Sequence, residues 1–314
     1  MGGTKILGAA VTPKKILAIS KRTTTQRKKN SDYVKDLKKI IDELLSSSKL
    51  KKKQPEAICI GIPGSLNPFT GYVGFAPNLG IKNFNLKEKL SEHFSIPIFI
   101  ENDVNIGALG IRDFGAGKTA KNILVVFVGT GIGGALIFDR KLYRGSNFVA
   151  GEIGHMHILD NGPLCNCGRR GCLEAIASRT AIERNIREDI KNGKESILAD
   201  AVKSESKIKS KALANAVKNK DEVAVQRISK ACETIGKSLA SINNLLNFDL
   251  IVLGGGVIEA LHNFMIPRIK KSFASYVLKD SSKELKILPS ELGDDAALFG
   301  GISLTEEFLK TKIK

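Results

Sequence analysis

Long apolar runs are missing from this sequence: nothing in it approaches the roughly 18 uninterrupted apolar residues of a membrane-spanning helix. Its first residues, MGGTKILGAAVTPKK, lack the basic segment, apolar core and cleavage site of an export signal in their proper order. Cysteine is scarce as well. Five are present, three of them between positions 165 and 172, which fits a metal in a reducing compartment better than a disulfide framework. The cytoplasm is the address these absences imply. Acid is also short, with 32 Asp and Glu against 49 Lys and Arg, a net charge of +17. A DNA-binding surface would gather that charge into an arginine-bearing stripe beside a reading helix. Here lysines are spread over 35–53 and 203–220 with Asp36, Asp42, Glu43, Asp221 and Glu222 among them, as on solvated helix faces. A nucleic-acid partner is therefore disfavoured.

What is present describes an ordinary globular protein, 42% hydrophobic and 26% charged, with 314 residues for two packed domains. The pattern predicts a hairpin over 5–11 and 16–20, then a helix carrying Val34, Leu37, Ile40, Ile41, Leu44 and Leu45 at helical spacing. An apolar strand over 57–62 stops at Gly61-Ile62-Pro63-Gly64, and a Gly/Asn/Pro-rich loop covers 64–80. A helix near 86–94, a strand over 96–100 and a helix over 104–114 follow. The pattern then restarts with a strand over 122–128, a turn over 129–134 and a returning strand over 135–138. Two long helical stretches fill 178–247, a buried strand covers 250–253, and a last helix starts near 296. Such alternation is α/β architecture with a mixed sheet, in two hairpin-led halves with a cleft between them. The expected domains are 1–114 and 115–297, with the terminal helix 298–314 folding back to join the first.

Cys165, Cys167 and Cys172, with His155 ten residues upstream, make a Cys3His set of the kind that holds structural zinc. Gly168 and Gly171 allow the tight turn such a cluster needs. His157 is a rival ligand, since an extended segment puts it on the same side as His155. Glu152 and Glu174 flank the cluster. They are either partners of the metal ligands or, more sharply, carboxylates aimed with His155 into one polyol-binding cavity.

Gly129-Thr130-Gly131-Ile132-Gly133-Gly134 directly follows an apolar strand, where bare backbone amides can cradle phosphate. Gly2-Gly3-Thr4 and Gly254-Gly255-Gly256 also stand at strand ends, and three such turns point to a nucleotide. Gly117-Lys118-Thr119 is no P-loop, because Arg112 stands where that motif needs glycine. Glu101-Asn102-Asp103 ends one strand and opens a helix. Asp103 is either that helix's N-cap or a general base, with Asn102 holding a neighbouring hydroxyl.

Together GGTK (2–5), GIPG (61–64), APNL (76–79), ENDVN (101–105), GTGIGG (129–134), GEIGH (151–155), CNCGRRGCLE (165–174) and LGGGV (253–257) resemble the sugar-kinase and repressor group called ROK. The resemblance runs nearly end to end and implies a two-domain actin/hexokinase-like (ribonuclease H-like) ATPase fold. It implies phosphoryl transfer from Mg-ATP to a hexose hydroxyl, usually the 6-position and with glucose the first candidate, and a homodimer. It assigns Asp103 as catalytic base and Gly64, Asn78, Asn102, Glu152, His155 and Glu174 as sugar contacts. His155, Cys165, Cys167 and Cys172 become the ligands of a structural Zn2+. ATP falls to Gly3, Thr4, Lys5, Thr130, Gly131 and Gly133, with adenosine near Gly254, Gly255 and Gly256. Family members usually have a strand ending in Asp-x-Gly-Gly-Thr, of which only the last part is here; an upstream apolar strand ending in Asp is the expectation. Ile81 stands where an aromatic residue is common. The alternative the resemblance carries is a sugar-responsive regulator or sensor, whose added helix-turn-helix segment this sequence does not contain.

Overall fold

Thr12 reverses the chain by accepting a hydrogen bond on Oγ1 from the Lys15 amide (3.2 Å), which sets the antiparallel pair β1 (Lys5–Thr12) and β2 (Lys15–Thr23). The computed structural model describes residues 1–2, 5–23, 29–50 and 54–310. It divides into one unit of residues 1–118, 141–150 and 294–314 and another of 119–140 and 151–293.

In the first unit α1 (Asn30–Leu45) buries Val34, Leu37, Ile40 and Ile41 against the hairpin, as its helical spacing requires. Gly8 makes that approach possible: a Cβ there would lie 2.6 Å from Ile40 Cγ2. β3 (Ile58–Ile62) is separated in sequence from its parallel partner by a three-stranded antiparallel sheet of β4 (Ser65–Asn67), β5 (Tyr72–Ala76) and β6 (Ile81–Asn85). A loop was expected over 64–80. The Gly/Asn/Pro density belongs instead to the turns of short strands: Asn67 Oδ1 accepts from the Phe69 and Thr70 amides (3.0 and 3.1 Å), and Gly71 has φ +73°. α2 (Leu86–Ser91) starts at Asn85, whose Oδ1 caps the Glu88 amide (3.1 Å). β7 (Ile98–Asn102) then pairs parallel with β3, placing Gly61 beside Glu101 and Ile62 beside Asn102. α3 (Asp103–Phe114) leaves from that strand end.

The second unit opens with β8 (Ile123–Val128) and β9 (Ile132–Phe138), an antiparallel hairpin whose return begins at Ile132 rather than 135. β10 (Lys141–Tyr143) belongs to the first unit. Where two long helices were expected the chain forms four after the short α4 (Leu173–Ala177): α5 (Arg179–Lys191), α6 (Ala199–Lys203), α7 (Ser210–Lys218) and α8 (Glu222–Leu246). Left-handed Gly193 and Lys220 end α5 and α7 (φ +91° and +58°), and Asp221 caps α8 by accepting from the Ala224 amide (2.8 Å). β11 (Leu250–Gly254) lies parallel between β8 and β12 (Lys286–Pro289), with α9 (Gly256–Tyr276) after its glycine run. β11 is buried at every position, which is why its sequence is a continuous apolar run. Neither α9 nor β12 was anticipated.

α10 (Asp295–Leu309) returns to the first unit and packs on α3, β1 and β3. The two helices meet at Gly110 and Gly300. A Cβ on Gly110 would stand 1.9 Å from Ala296 O, and one on Gly300 1.8 Å from Ile106 O. Among the described residues no helix is long and apolar enough to cross a membrane.

Candidate functional site

The carboxyl end of β7 carries the acid. Asn102, not Asp103, caps α3: its Oδ1 accepts from the Val104 and Asn105 amides (2.9 and 3.3 Å), while its Nδ2 donates to Gly64 O (3.3 Å). Asp103 is thereby relieved of the capping role that offered a plainer explanation for it. It sits in the first turn, where the helix amides favour a negative charge, and accepts from the Val104 amide (3.0 Å). Burial raises its pKa, and the amino group of Met1 opposes that rise. Gly61 gives Asp103 room, since a Cβ there would come within 3.3 Å of its Cα. Gly64 has φ +130° and no space for a side chain against Phe75 O (2.3 Å from a Cβ). Asn78 is exposed in the turn between β5 and β6.

Glu101 was not singled out from sequence and is the most deeply buried acid here. Only 2% exposed, it accepts from Arg144 Nε (2.6 Å), Asn105 Nδ2 (3.0 Å) and the Asn102 amide (2.9 Å). Arg144 also faces Glu307 of α10, which Arg112 Nη1 holds at 2.6 Å. This network fixes the strand end that presents Asn102 and Asp103.

In the second unit the ligand atoms of His155, Cys165, Cys167 and Cys172 all lie within 4.8 Å of one another. Cys165 Sγ is 3.7 Å from His155 Nδ1, and Cys167 Sγ is 3.7 Å from Cys172 Sγ. Four ligands at ~2.3 Å around a tetrahedral zinc stand ~3.8 Å apart, so the cluster has the size and donor set of a structural zinc site. Glycine makes the loop: Gly168 and Gly171 take φ +86° and +74°, and a Cβ on Gly171 would meet Leu159 O at 1.9 Å. His157 stands apart, exposed, bonded to Asp160 (2.9 Å) and Arg170 O (3.0 Å). The geometry therefore chooses His155, whose second ring nitrogen faces Glu152 Oε2 at 3.8 Å. The backbone hydrogen bond from Arg169 pulls the exposed Cys167 thiol down to about 6.

Glu174 joins this cluster to the glycine turn. Its Oε2 accepts from the Ile132 amide (2.9 Å) and its Oε1 is 3.8 Å from Cys165 Sγ. A Cβ on Gly131 would fall 2.0 Å from Glu174 Oε2, so that glycine makes room for the carboxylate. Gly134 and Gly151 likewise admit each other's backbones, with a Cβ on Gly151 2.4 Å from Gly134 O. Gly133 lies within β9 opposite Phe127. Thr130 is exposed and held by two residues the sequence did not flag: Arg179 donates from Nη2 to Thr130 Oγ1 (3.3 Å), and Thr180 Oγ1 donates to Thr130 O (2.8 Å). Gly254 packs on the Phe127 ring, Gly255 (φ +88°) on the Val128 backbone, and Gly256 is exposed. Gly3 and Thr4 lie outside the described residues, and Lys5 is ion-paired with Asp294.

Known proteins are similar over most of the chain. The sequence is 36% identical over 262 residues to a glucokinase of Halalkalibacterium halodurans, covering 83% of this chain and 79% of that protein. It is 32% identical to a xylose repressor of Bacillus subtilis, over 79% of this chain but only 60% of the repressor. A ROK glucokinase from Streptomyces griseus, solved with glucose and AMPPNP, superposes with a TM-score of 0.84 at 28% identity, over 98% of this chain and 97% of that one. The mixed α/β fold is thus of the actin/hexokinase type found in ROK sugar kinases. The ROK family profile matches residues 1–307, and the chain belongs to that family.

Proposed function

We propose that the protein is an ATP-dependent hexose kinase, with glucose as first substrate and the 6-hydroxyl as acceptor. The observation that carries the reading is Asp103: a carboxylate at a buried strand end, freed from capping by Asn102 and seated in the first turn of α3. In the reaction Asp103 accepts the proton of the attacking hydroxyl as its oxygen bonds the γ-phosphorus and the bond to ADP breaks. Asn102, Gly64 and Asn78, and likewise Glu152, His155 and Glu174, are the residues to which this reading gives contacts with the sugar. Each hydroxyl can donate to a carboxylate while accepting from another group. Thr130, Gly131 and Gly133 serve the phosphates and Gly254 to Gly256 the adenosine, and magnesium bound with ATP would neutralise charge on the phosphates. His155, Cys165, Cys167 and Cys172 would hold a zinc ion, which would order the loop that carries His155 and Glu174. It leaves the chemistry to Asp103.

A second reading has support in the similarity to a xylose repressor: a sugar-binding regulator without turnover. One experiment separates the two. In a coupled assay with glucose and Mg-ATP, the kinase reading expects turnover that Asp103→Asn removes while glucose still binds. Glucose binding without turnover in the unaltered protein would refute the kinase and favour the regulator.

A further inference from the structure

Arg179 opens α5, and that end of a helix is unfavourable for a cation, because the first amides present positive charge. The chain compensates it one turn later. Arg179 Nη1 donates to Glu183 Oε2 (2.9 Å) and to Ile208 O (3.2 Å). Glu183 in turn accepts on Oε1 from the Ile208 amide (3.0 Å) and from Arg187 Nη2 (2.9 Å). Burial works against the charge of Glu183, but the Ile208 amide and Arg187 outweigh it and bring its pKa below the ordinary value. The Arg179 and Glu183 side chains are only 15% and 13% exposed, so the pair is shielded from water. One nitrogen of the guanidinium is thus fixed, and the other, Nη2, reaches Thr130 Oγ1 (3.3 Å).

That contact has a direction. A guanidinium has donors and no acceptor, so Thr130 Oγ1 receives a hydrogen from Arg179 and cannot give its own there. The Thr130 carbonyl accepts from the Thr180 hydroxyl (2.8 Å), and the Arg179 amide holds Gly129 O (2.9 Å). Backbone and hydroxyl are therefore set together, and the hydrogen of Thr130 Oγ1 is left for a partner on another side. Thr130 lines an open groove of about 720 Å³, where five basic side chains, Arg184 and Lys207 among them, stand against Glu183 and Glu188. The partner this balance favours is an anion.

We infer that Arg179 is a positioning residue for the turn at Thr130: it sets the Thr130 hydroxyl as a donor to a phosphate oxygen of the nucleotide, and Glu183 and Ile208 hold it in that place. The inference rests on the reading of Thr130 as a phosphate contact, and it accounts for a cation at the start of α5. Arg179 acts through Thr130 and not as a general attractor of phosphate, because its charge is already met by Glu183.

The test is a double-mutant cycle on the binding of Mg-AMPPNP, read by titration calorimetry without sugar. Arg187 still pairs with Glu183 in Arg179→Met, so that variant leaves no buried carboxylate uncompensated. Thr130→Val should weaken binding about tenfold or more, as loss of a hydrogen bond to a charged group does. Arg179→Met should weaken it about fivefold alone and less than about twofold beside Thr130→Val. Adenosine, which has no phosphate, should bind Arg179→Met as it binds the unaltered protein. Equal loss from Arg179→Met in both backgrounds would make the arginine a plain electrostatic attractor, and equal loss for adenosine would make it a strut of the fold. Either result overturns the inference while the phosphate role of Thr130 stands, as does full affinity in Arg179→Met where Thr130→Val is weakened. If Thr130→Val binds Mg-AMPPNP as tightly as the unaltered protein, the reading of Thr130 itself fails and the inference with it.

Discussion

Gly131→Ala is the change that best separates two roles of one glycine. Membership of the phosphate-binding turn predicts a defect in ATP use. If Glu174 holds the sugar as proposed, the expected defect is in sugar binding, because the new Cβ would stand 2.0 Å from Glu174 Oε2. Gly131 φ is not left-handed, so the backbone is not strained by the substitution. Nothing but the carboxylate must move, and the cost is what that carboxylate gives up. It loses the hydrogen bond from the Ile132 amide (2.9 Å) and its proposed contact with the sugar, each charge-assisted bond contributing about 1.5–3 kcal/mol. If the sugar contact alone is lost, affinity falls about 10- to 100-fold. Equilibrium glucose binding, measured without nucleotide by titration calorimetry, reads this directly. The partner variant Glu174→Ala removes the obstacle, and adding Gly131→Ala to it should change affinity less than about twofold, a strong departure from additivity. The reasoning fails if Gly131→Ala raises the KM for ATP and leaves glucose affinity intact, or if its effect is the same in both backgrounds.

Other expectations follow from the same interactions. Cys172→Ser should cut zinc content by metal analysis and, through the loop bearing His155 and Glu174, weaken glucose binding about tenfold or more; unchanged affinity in zinc-free protein would detach the metal from the sugar site. Glu101→Gln leaves Arg144 without its buried carboxylate partner, and chemical denaturation should register a loss of about 3 kcal/mol. A loss under about 0.5 kcal/mol would make the network incidental. Asp189 is held down to about 2 by the hydrogen-bonded Arg227 (2.7 Å). Its folded value lies below its unfolded one, so the stability it contributes, about 2 kcal/mol, is complete above pH ~4 and is lost as pH falls towards 2. Denaturation curves between those limits should be flatter in Asp189→Asn; an identical slope would refute the assignment.

What the sequence made legible and what it did not divide along physical lines. Period and punctuation located β1, β2, α1, β3, β7, α3, β8 and β11, because a buried strand or an amphipathic helix writes its pattern locally. β4 and β5 were read as loop and β6 was not anticipated, since these strands are only three to five residues long and turn residues stand thickly among them. The division of 178–247 into four helices rather than two was missed for a related reason: before α8, Lys220 takes a left-handed turn with nothing in its side chain to announce it. At the zinc cluster, spacing left His155 and His157 level. Contacts to Asp160 and Arg170 O, distant in effect though near in sequence, remove His157.

The larger omission concerns Glu174 and the glycines. In sequence the turn at 129–134 and the cysteine loop at 165–174 are separate motifs with separate uses, one for phosphate and one for metal. In the folded unit they share a carboxylate. Glu174 reaches from the start of α4 to the Ile132 amide, Gly131 lacks a side chain where that carboxylate lies, and Gly154 lacks one against Ile132 O. Each glycine is thus explained by a neighbour some 20 to 40 positions away, which a one-dimensional pattern cannot weigh. The consequence is mechanical. A movement of the zinc loop must displace either the Glu174 carboxylate or the turn beside Thr130, because the space for a compromise is filled. Under the kinase reading, sugar contact and phosphate turn then respond to one displacement, and the coupling resides in these close backbone approaches rather than in the metal.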